Sequence, residues 1–168
     1  MRKIILNLAV SLDGYIAGPK GEYDWCLTDD DYGMTSFLES VDTLLIGRKT
    51  FDLLIEYGDP YPDKTNYVFS TRLKNSEYKN VTIVNEDIIS FADKLRRQDG
   101  KNIWLFGGAQ IAYPLYDQNM IDQMVLSVHP VLLGGGIPLF RPGYRRNLKL
   151  TDCTRYPSGL VQLTYSKE

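Results

Sequence analysis

The chain has 168 residues, 43% hydrophobic and 24% charged, with a formal net charge of −2. That length suits one domain, residues 1–168, with a real core, and leaves no room for two ordinary ones. The near balance of charge argues against nucleic acid as a partner, and no apolar run is long enough to span a bilayer. Met1-Arg2-Lys3 leads only into a strand-length run, so no signal peptide is expected. Cys26 and Cys153 lie far apart and outside any C-x-x-C pair, which predicts a cytoplasmic protein with free thiols. A lone histidine, His129, with no Cys/His cluster predicts no metal site. It precedes Pro130 in an apolar strand and reads first as structural.

Residues 3–10 form a near-continuous apolar run, the mark of a strand covered on both faces. It leads into residues 11–21, where three glycines and a proline predict a long, shaped loop that covers a ligand. After Trp25, Thr28 with Asp31 three residues on fits an N-cap pattern, opening a helix of about ten residues to Ser40. The aspartates at 29–31 also suit the positive end of that helix. Residues 43–46 are a second buried strand, broken at Gly47, with Arg48 and Lys49 in the turn and a helix over 50–55. Strands follow at 66–70 and 81–84, then a helix over 88–97 with Ile88, Ile89, Ala92 and Leu95 on one face and Gly100 closing it. A fifth strand, 103–106, meets Gly107-Gly108 and a helix over 109–116. Beyond it, 124–130, 131–133 and 160–166 read as strands with no helix between them. The fold predicted is α/β, a mostly parallel central sheet with an antiparallel C-terminal edge.

Three strand ends carry chemistry. In an open parallel sheet the carboxyl ends of the strands converge on one edge, where ligands bind. Here that edge holds the glycines Gly47, Gly107 and Gly108, the cations Arg48, Lys49 and Arg72, and the hydroxyls of Ser70 and Thr71. Glycines admit a bulky ligand, a helix start presents free N–H groups, and the cations suit phosphate. The set suits a dinucleotide, and its cations favour NADPH over NADH. No G-x-G-x-x-G fingerprint is present, so a conventional Rossmann dehydrogenase is not expected. Taken singly, each junction is also explained as a tight turn or a solvated charge; it is their agreement that points to a ligand.

Five segments in order make the chain familiar: Ala9-Val10-Ser11-Leu12-Asp13-Gly14-Tyr15-Ile16-Ala17-Gly18, Gly21-Glu22-Tyr23-Asp24-Trp25, Gly47-Arg48-Lys49-Thr50-Phe51, Phe106-Gly107-Gly108-Ala109, and the run from Pro130 through Gly134-Gly135-Gly136 to Phe140. With them the chain resembles the dihydrofolate-reductase-like superfamily. Within it, the chain is similar to bacterial reductases related to the C-terminal reductase domain of the riboflavin-biosynthesis bifunctional protein. The resemblance implies a three-layer fold with helices on both faces of the sheet, NADPH as cofactor, a small heterocyclic substrate and a homodimer. It implies that Gly47, Arg48, Lys49 and Thr50 meet the 2′-phosphate and pyrophosphate. Ser70, Thr71 and Arg72 would form a second adenosine-phosphate contact. Gly107, Gly108, Ala109, Gln110 and Ile111 would form the pyrophosphate turn, and the backbone of Ala9 and Ile16 would hold the nicotinamide amide.

On the substrate side, the resemblance places a proton-assisting carboxylate after Trp25. Asp30 and Asp31 straddle the spacing, and Asp31 is the candidate, with helix capping as its other reading. The riboflavin-pathway reductases often carry a lysine where this chain has Tyr15 and an acid where it has Phe106. With Trp25, these residues read either as core or as an aromatic site for a flat heterocycle rather than a phosphorylated sugar. The functional expectation is hydride transfer from NADPH to a pterin-like or pyrimidine-like molecule. The alternatives are a binding protein on the same fold without turnover, and an assembly protein whose glycine turns serve packing.

Overall fold

A computed structural model describes residues 1–143 and 145–168. Its elements in chain order are β1 (Ile4–Ser11), β2 (Tyr15–Ala17), α1 (Met34–Ser40), β3 (Val41–Gly47), α2 (Arg48–Leu54), a single 3₁₀ turn (Ile55–Tyr57), β4 (Thr65–Phe69), β5 (Val81–Val84), α3 (Ile88–Arg96), β6 (Asn102–Gly107), α4 (Ala109–Asp117), β7 (Gln123–His129), β8 (Ile137–Pro138), β9 (Leu148–Arg155) and β10 (Val161–Lys167). Eight strands form one sheet in the order β5-β4-β3-β6-β1-β7-β10-β9. The first six run parallel, with β7 joining β1 in parallel, and β10 and β9 complete the sheet antiparallel; the predicted antiparallel C-terminal edge is present, built of 161–167 with the unpredicted β9.

The period-2 alternation of the central strands divides the core into two. On one face, Ile4, Leu6, Val10, Ile103 and Leu105 pack with Ile88, Ala92 and Leu95 of α3 and Ile111 and Leu115 of α4. On the other, Leu44, Ile46, Val68 and Trp104 pack with Phe37 and Leu38 of α1 and Phe51 and Leu54 of α2. Strands apolar on both sides are therefore explained: each parallel strand has a helix layer above and below it. Among the described residues, no helix is long and apolar enough to cross a membrane, and no three His, Cys, Asp or Glu are grouped to hold a metal. Cys26 and Cys153 are both free thiols.

The structure corrects several boundaries. The first helix begins at Met34, six residues after the expected cap Thr28. Tyr32 and Gly33 adopt left-handed conformations, φ 51° and 73°, which stop a helix from propagating through them. Tertiary bonds hold them there: the Tyr32 hydroxyl donates to Asp29 Oδ1 (2.5 Å), and the Tyr32 carbonyl accepts from Gln162 Nε2 (3.0 Å). The second helix starts at Arg48 rather than Thr50, so Arg48 and Lys49 belong to its first turn. The third ends at Arg96 with its C-cap at Arg97, so Gly100 lies beyond its cap.

Residues 131–133 are not a strand, because their backbone groups bond to the loop after β1 instead. Strand β9 escaped the sequence reading because it is polar and mostly exposed, with only its pairing to β10 to define it. The β2–β8 ribbon, of three and two residues, is too short to leave a pattern.

Candidate functional site

The site is built first from backbone. Strands β3 and β6 are neighbours with Ile46 opposite Gly107, so their two strand-to-helix junctions lie side by side. A Cβ on Gly47 would sit 3.3 Å from Gly108 Cα and from the Gly107 carbonyl oxygen; a Cβ on Gly108 would sit 3.1 Å from Gly47 Cα. The two turns press together so closely that a side chain at either would need the facing backbone to give way by a few tenths of an ångström. Gly107 and Gly108 also have φ of 141° and 101°, open to glycine alone without strain. Helix α4 starts here with no side-chain cap among the described residues. The Ile111 and Ala112 N–H groups return to the Gly108 carbonyl, which leaves Ala109 and Gln110 N–H at the helix mouth as donors for an anion. Thr50 Oγ1 comes within 3.4 Å of the Gly108 Cβ position, which puts this hydroxyl at the same turn.

Beside this contact a cavity of about 520 Å³ opens at the carboxyl ends of β4 and β5. Arg48, Lys49, Ser70, Thr71, Arg72, Gln110 and Ile111 line it, all of them predicted from sequence; Phe69, Val84, Asn85 and Glu86 also line it and were not predicted. Ser70 Oγ accepts from the Arg72 and Leu73 N–H groups (3.1 and 3.0 Å), which fixes the turn and leaves the hydroxyl proton free to donate. Arg48 pairs with Asp52 one turn along α2, so part of its charge is neutralised within the helix. Lys49 and Arg72 are exposed. A larger cavity, about 700 Å³, lies at the opposite edge of the sheet around Arg2, Glu39 and Gly100. It is the weaker candidate. Its buried cation, Arg2, is already held by Asp42, Thr43 Oγ1 and the Lys101 carbonyl, and the amino ends of parallel strands lack the helix starts that attract ligands.

The loop after β1 is tied to the triple-glycine segment by one carboxylate. Asp13 accepts from Ser11 Oγ (2.6 Å), Leu133 N (3.1 Å) and Gly134 N (2.8 Å), and Ser11 Oγ in turn accepts from Tyr15 N (2.9 Å). The Ser11 hydroxyl bond, followed by the backbone donors, holds the Asp13 carboxyl below its ordinary value. The chain then pairs β2 with β8, and Gly136 passes so close to Ala17 that a Cβ would lie 2.1 Å from its carbonyl oxygen. Ala9, opposite Ser127, and Ile16, against the α3–α4 core, are thus set by a fixed frame.

The aromatic residues do not form one box. Phe106 packs with Trp104 (4.6 Å between centroids) and Tyr61 (5.7 Å), and Trp104 also meets Phe37 (5.1 Å). Trp25 instead stands edge-on to His129 (5.2 Å), whose Nδ1 lies 2.8 Å from the Ser127 carbonyl oxygen. Tyr15 lies in the β2–β8 ribbon. Asp31 caps α1: its carboxylate accepts from Thr35 N (3.1 Å) and Thr35 Oγ1 (2.8 Å) while remaining exposed.

Two polar residues on the α1 face escaped the sequence reading. Asn7 is 6% exposed, and its side-chain amide makes no hydrogen bond among the described residues. Tyr61 is half-buried with a hydroxyl equally unpaired. A polar residue inside the apolar run of β1 was the visible signal for Asn7; nothing local marked Tyr61.

A family model described as the RibD C-terminal domain matches residues 2–162. The Bacillus subtilis (strain 168) protein YyaP, itself uncharacterized, is 42% identical over 178 residues, spanning 98% of this chain and 94% of its own. A crystal structure of a candidate riboflavin biosynthesis protein from Shewanella sp. PV-4 superposes with a TM-score of 0.86 at 28% identity, covering 99% of both chains. A Thermotoga maritima diaminohydroxyphosphoribosylaminopyrimidine deaminase/5-amino-6-(5-phosphoribosylamino)uracil reductase shares the fold, with a TM-score of 0.75 at 14% identity over 99% of this chain and 57% of its own. Fold, junctions and sequence agree: the chain belongs to the RibD C-terminal domain family.

Proposed function

We propose that the protein is a reductase that uses NADPH to reduce a small pterin-like or pyrimidine-like heterocycle. The observation that carries this reading is the contact of Gly47 with Gly108 beside a cavity lined by Arg48, Lys49 and Arg72. A side-chain-free cradle next to three cations and an uncapped helix start fits a pyrophosphate with further phosphate beyond it. When bound, the dinucleotide supplies the hydride. The chain's own groups do the rest. Ala109 and Gln110 N–H, with Thr50, face the pyrophosphate; Ser70, Thr71 and Arg72 take the outlying phosphate. The frame clamped by Asp13 holds Ala9 and Ile16 at the nicotinamide. Preset geometry of this kind removes the entropic cost of aligning donor and acceptor. Asp31, or a water beside it, delivers the proton. The same reading includes a homodimer, for which the exposed edge strand β9, with Leu150 half exposed, offers a surface.

Saturating NADPH is expected to raise the melting temperature, since a ligand that binds only the folded state stabilises it by mass action. No shift, with no heat of binding by calorimetry, overturns the reading. A second reading, binding without turnover, is favoured by the engagement of the Asp31 carboxylate in capping α1. Asp31→Asn separates the two. Asparagine caps nearly as well as aspartate, so the melting temperature moves by less than about 2 °C. Turnover falls about tenfold or more if Asp31 moves the proton.

A further inference from the structure

Tyr61 has φ of 43°, a left-handed conformation that is strained for a bulky side chain. Two amides hold it there. Asn66 Nδ2 donates to the carbonyls of Pro60 (2.9 Å) and Lys64 (3.2 Å), and Asn80 Nδ2 donates to those of Pro60 (2.9 Å) and Tyr61 (3.1 Å). Asn66 is completely buried and keeps this role although its Oδ1 has no partner among the described residues. The fold thus accepts a strained residue and an orphaned oxygen in one turn. The result is that the Tyr61 ring stands edge-on to Trp104 (5.3 Å) and Phe106 (5.7 Å), next to the strand end that opens into Gly107. Its hydroxyl makes no hydrogen bond among the described residues, and burial pushes the phenol up from its ordinary value, so it stays a proton donor near neutral pH.

The charge around this turn is the second observation. Trp104 is ringed by Phe37, Tyr61 and Phe106, with Leu38, Leu54 and Leu73 in the same hydrophobic cluster. Lys64, the cation of the turn, is neutralised by Asp63 at 2.8 Å. Arg48, Lys49 and Arg72 line the other cavity. A phosphate on the acceptor would find Lys64 already paired, whereas a flat neutral ring would meet the half-buried rings of Tyr61 and Phe106 and a phenol with no partner among the described residues. Asn7 lies on the same face. Ile5 pairs with Trp104 and Leu6 with Leu105, which brings the unpaired Asn7 amide level with Phe106.

Building on the reductase reading, we infer that the acceptor is an uncharged planar heterocycle carrying ring carbonyls and no phosphate, and that the Tyr61 hydroxyl is a specificity-determining contact to it. The test is calorimetric titration of the full chain with two bare rings, lumazine and 5,6-diaminouracil, and with uridine 5′-phosphate, alongside a separate NADPH titration. The bare rings bind the parent more tightly than the nucleotide does. Tyr61→Phe weakens them about three- to tenfold, while NADPH affinity and melting temperature stay unchanged. Asn80→Ala weakens the same rings by loosening the turn. Equal affinity in parent and Tyr61→Phe, preference for uridine 5′-phosphate, or failure of both rings to bind overturns the inference. If NADPH fails to bind while Tyr61→Phe still weakens lumazine, the reductase reading falls and the ring site stands.

Discussion

The two halves of the candidate site are made of opposite materials. From β3 to β5 it is glycine backbone, helix start and cation, with Gly47 and Gly108 in contact and Arg48, Lys49 and Arg72 around a cavity. On the α1 face it is aromatic ring and polar group without a partner among the described residues: Phe106 and Trp104 of β6, Asn7 of β1, and Tyr61 from the turn before β4. The first half suits a highly charged molecule that approaches the backbone closely. The second suits a neutral ring that must be desolvated. The difference teaches that one short strand, β6, borders both: Trp104 and Phe106 face the aromatic side, and the two residues after Phe106 are the glycines of the charged side.

That division can be broken by substitution. Gly108→Val is expected to have the largest effect. It places a branched side chain 3.1 Å from Gly47 Cα at a φ that only glycine adopts freely. The melting temperature drops by about 5–10 °C, and NADPH no longer binds by calorimetry. A variant that keeps full affinity would show that the glycine contact is packing alone.

Arg72→Ala sharpens the comparison within the charged half. It lowers NADPH affinity about ten- to hundredfold, the scale of one charge-assisted contact, and NADH affinity less than about threefold. Equal losses for both nucleotides would move Arg72 away from the 2′-phosphate.

The smallest effect is a pH dependence at the frame between the halves. The Asp13 carboxyl is depressed when folded, so its contribution to stability is complete above its unfolded value and disappears as pH falls through the folded one. The gap in melting temperature between parent and Asp13→Asn is therefore widest above about pH 5 and closes below about pH 4. A gap that is flat with pH, followed by calorimetry or circular dichroism, would remove the carboxylate charge from the clamp.

Sequence made the charged half legible because its signals are local. An apolar run stopping at Gly47 or Gly107-Gly108, and cations within two residues of the stop, are visible without knowing what lies alongside. The same locality revealed every parallel strand and both helices flanking β6. It misplaced α1, because Tyr32 and Gly33 are turned left-handed by bonds to residues more than a hundred positions away, at Ser158 and Gln162. It missed β9, whose only definition is the partner strand.

By itself, the amino-acid sequence determined an α/β sheet, the glycine turns at its strand ends and the placing of three cations beside them, since each follows from residue type and short spacing. Only the tertiary structure decided that Gly47 and Gly108 touch, that one carboxylate clamps two distant loops, and that Phe106 belongs with Tyr61 rather than Trp25. The physical reason is the range of the forces involved. Turn and strand preferences act over a few residues, whereas close backbone contact, strained turns and unpaired buried groups exist only once distant segments exclude water from one another.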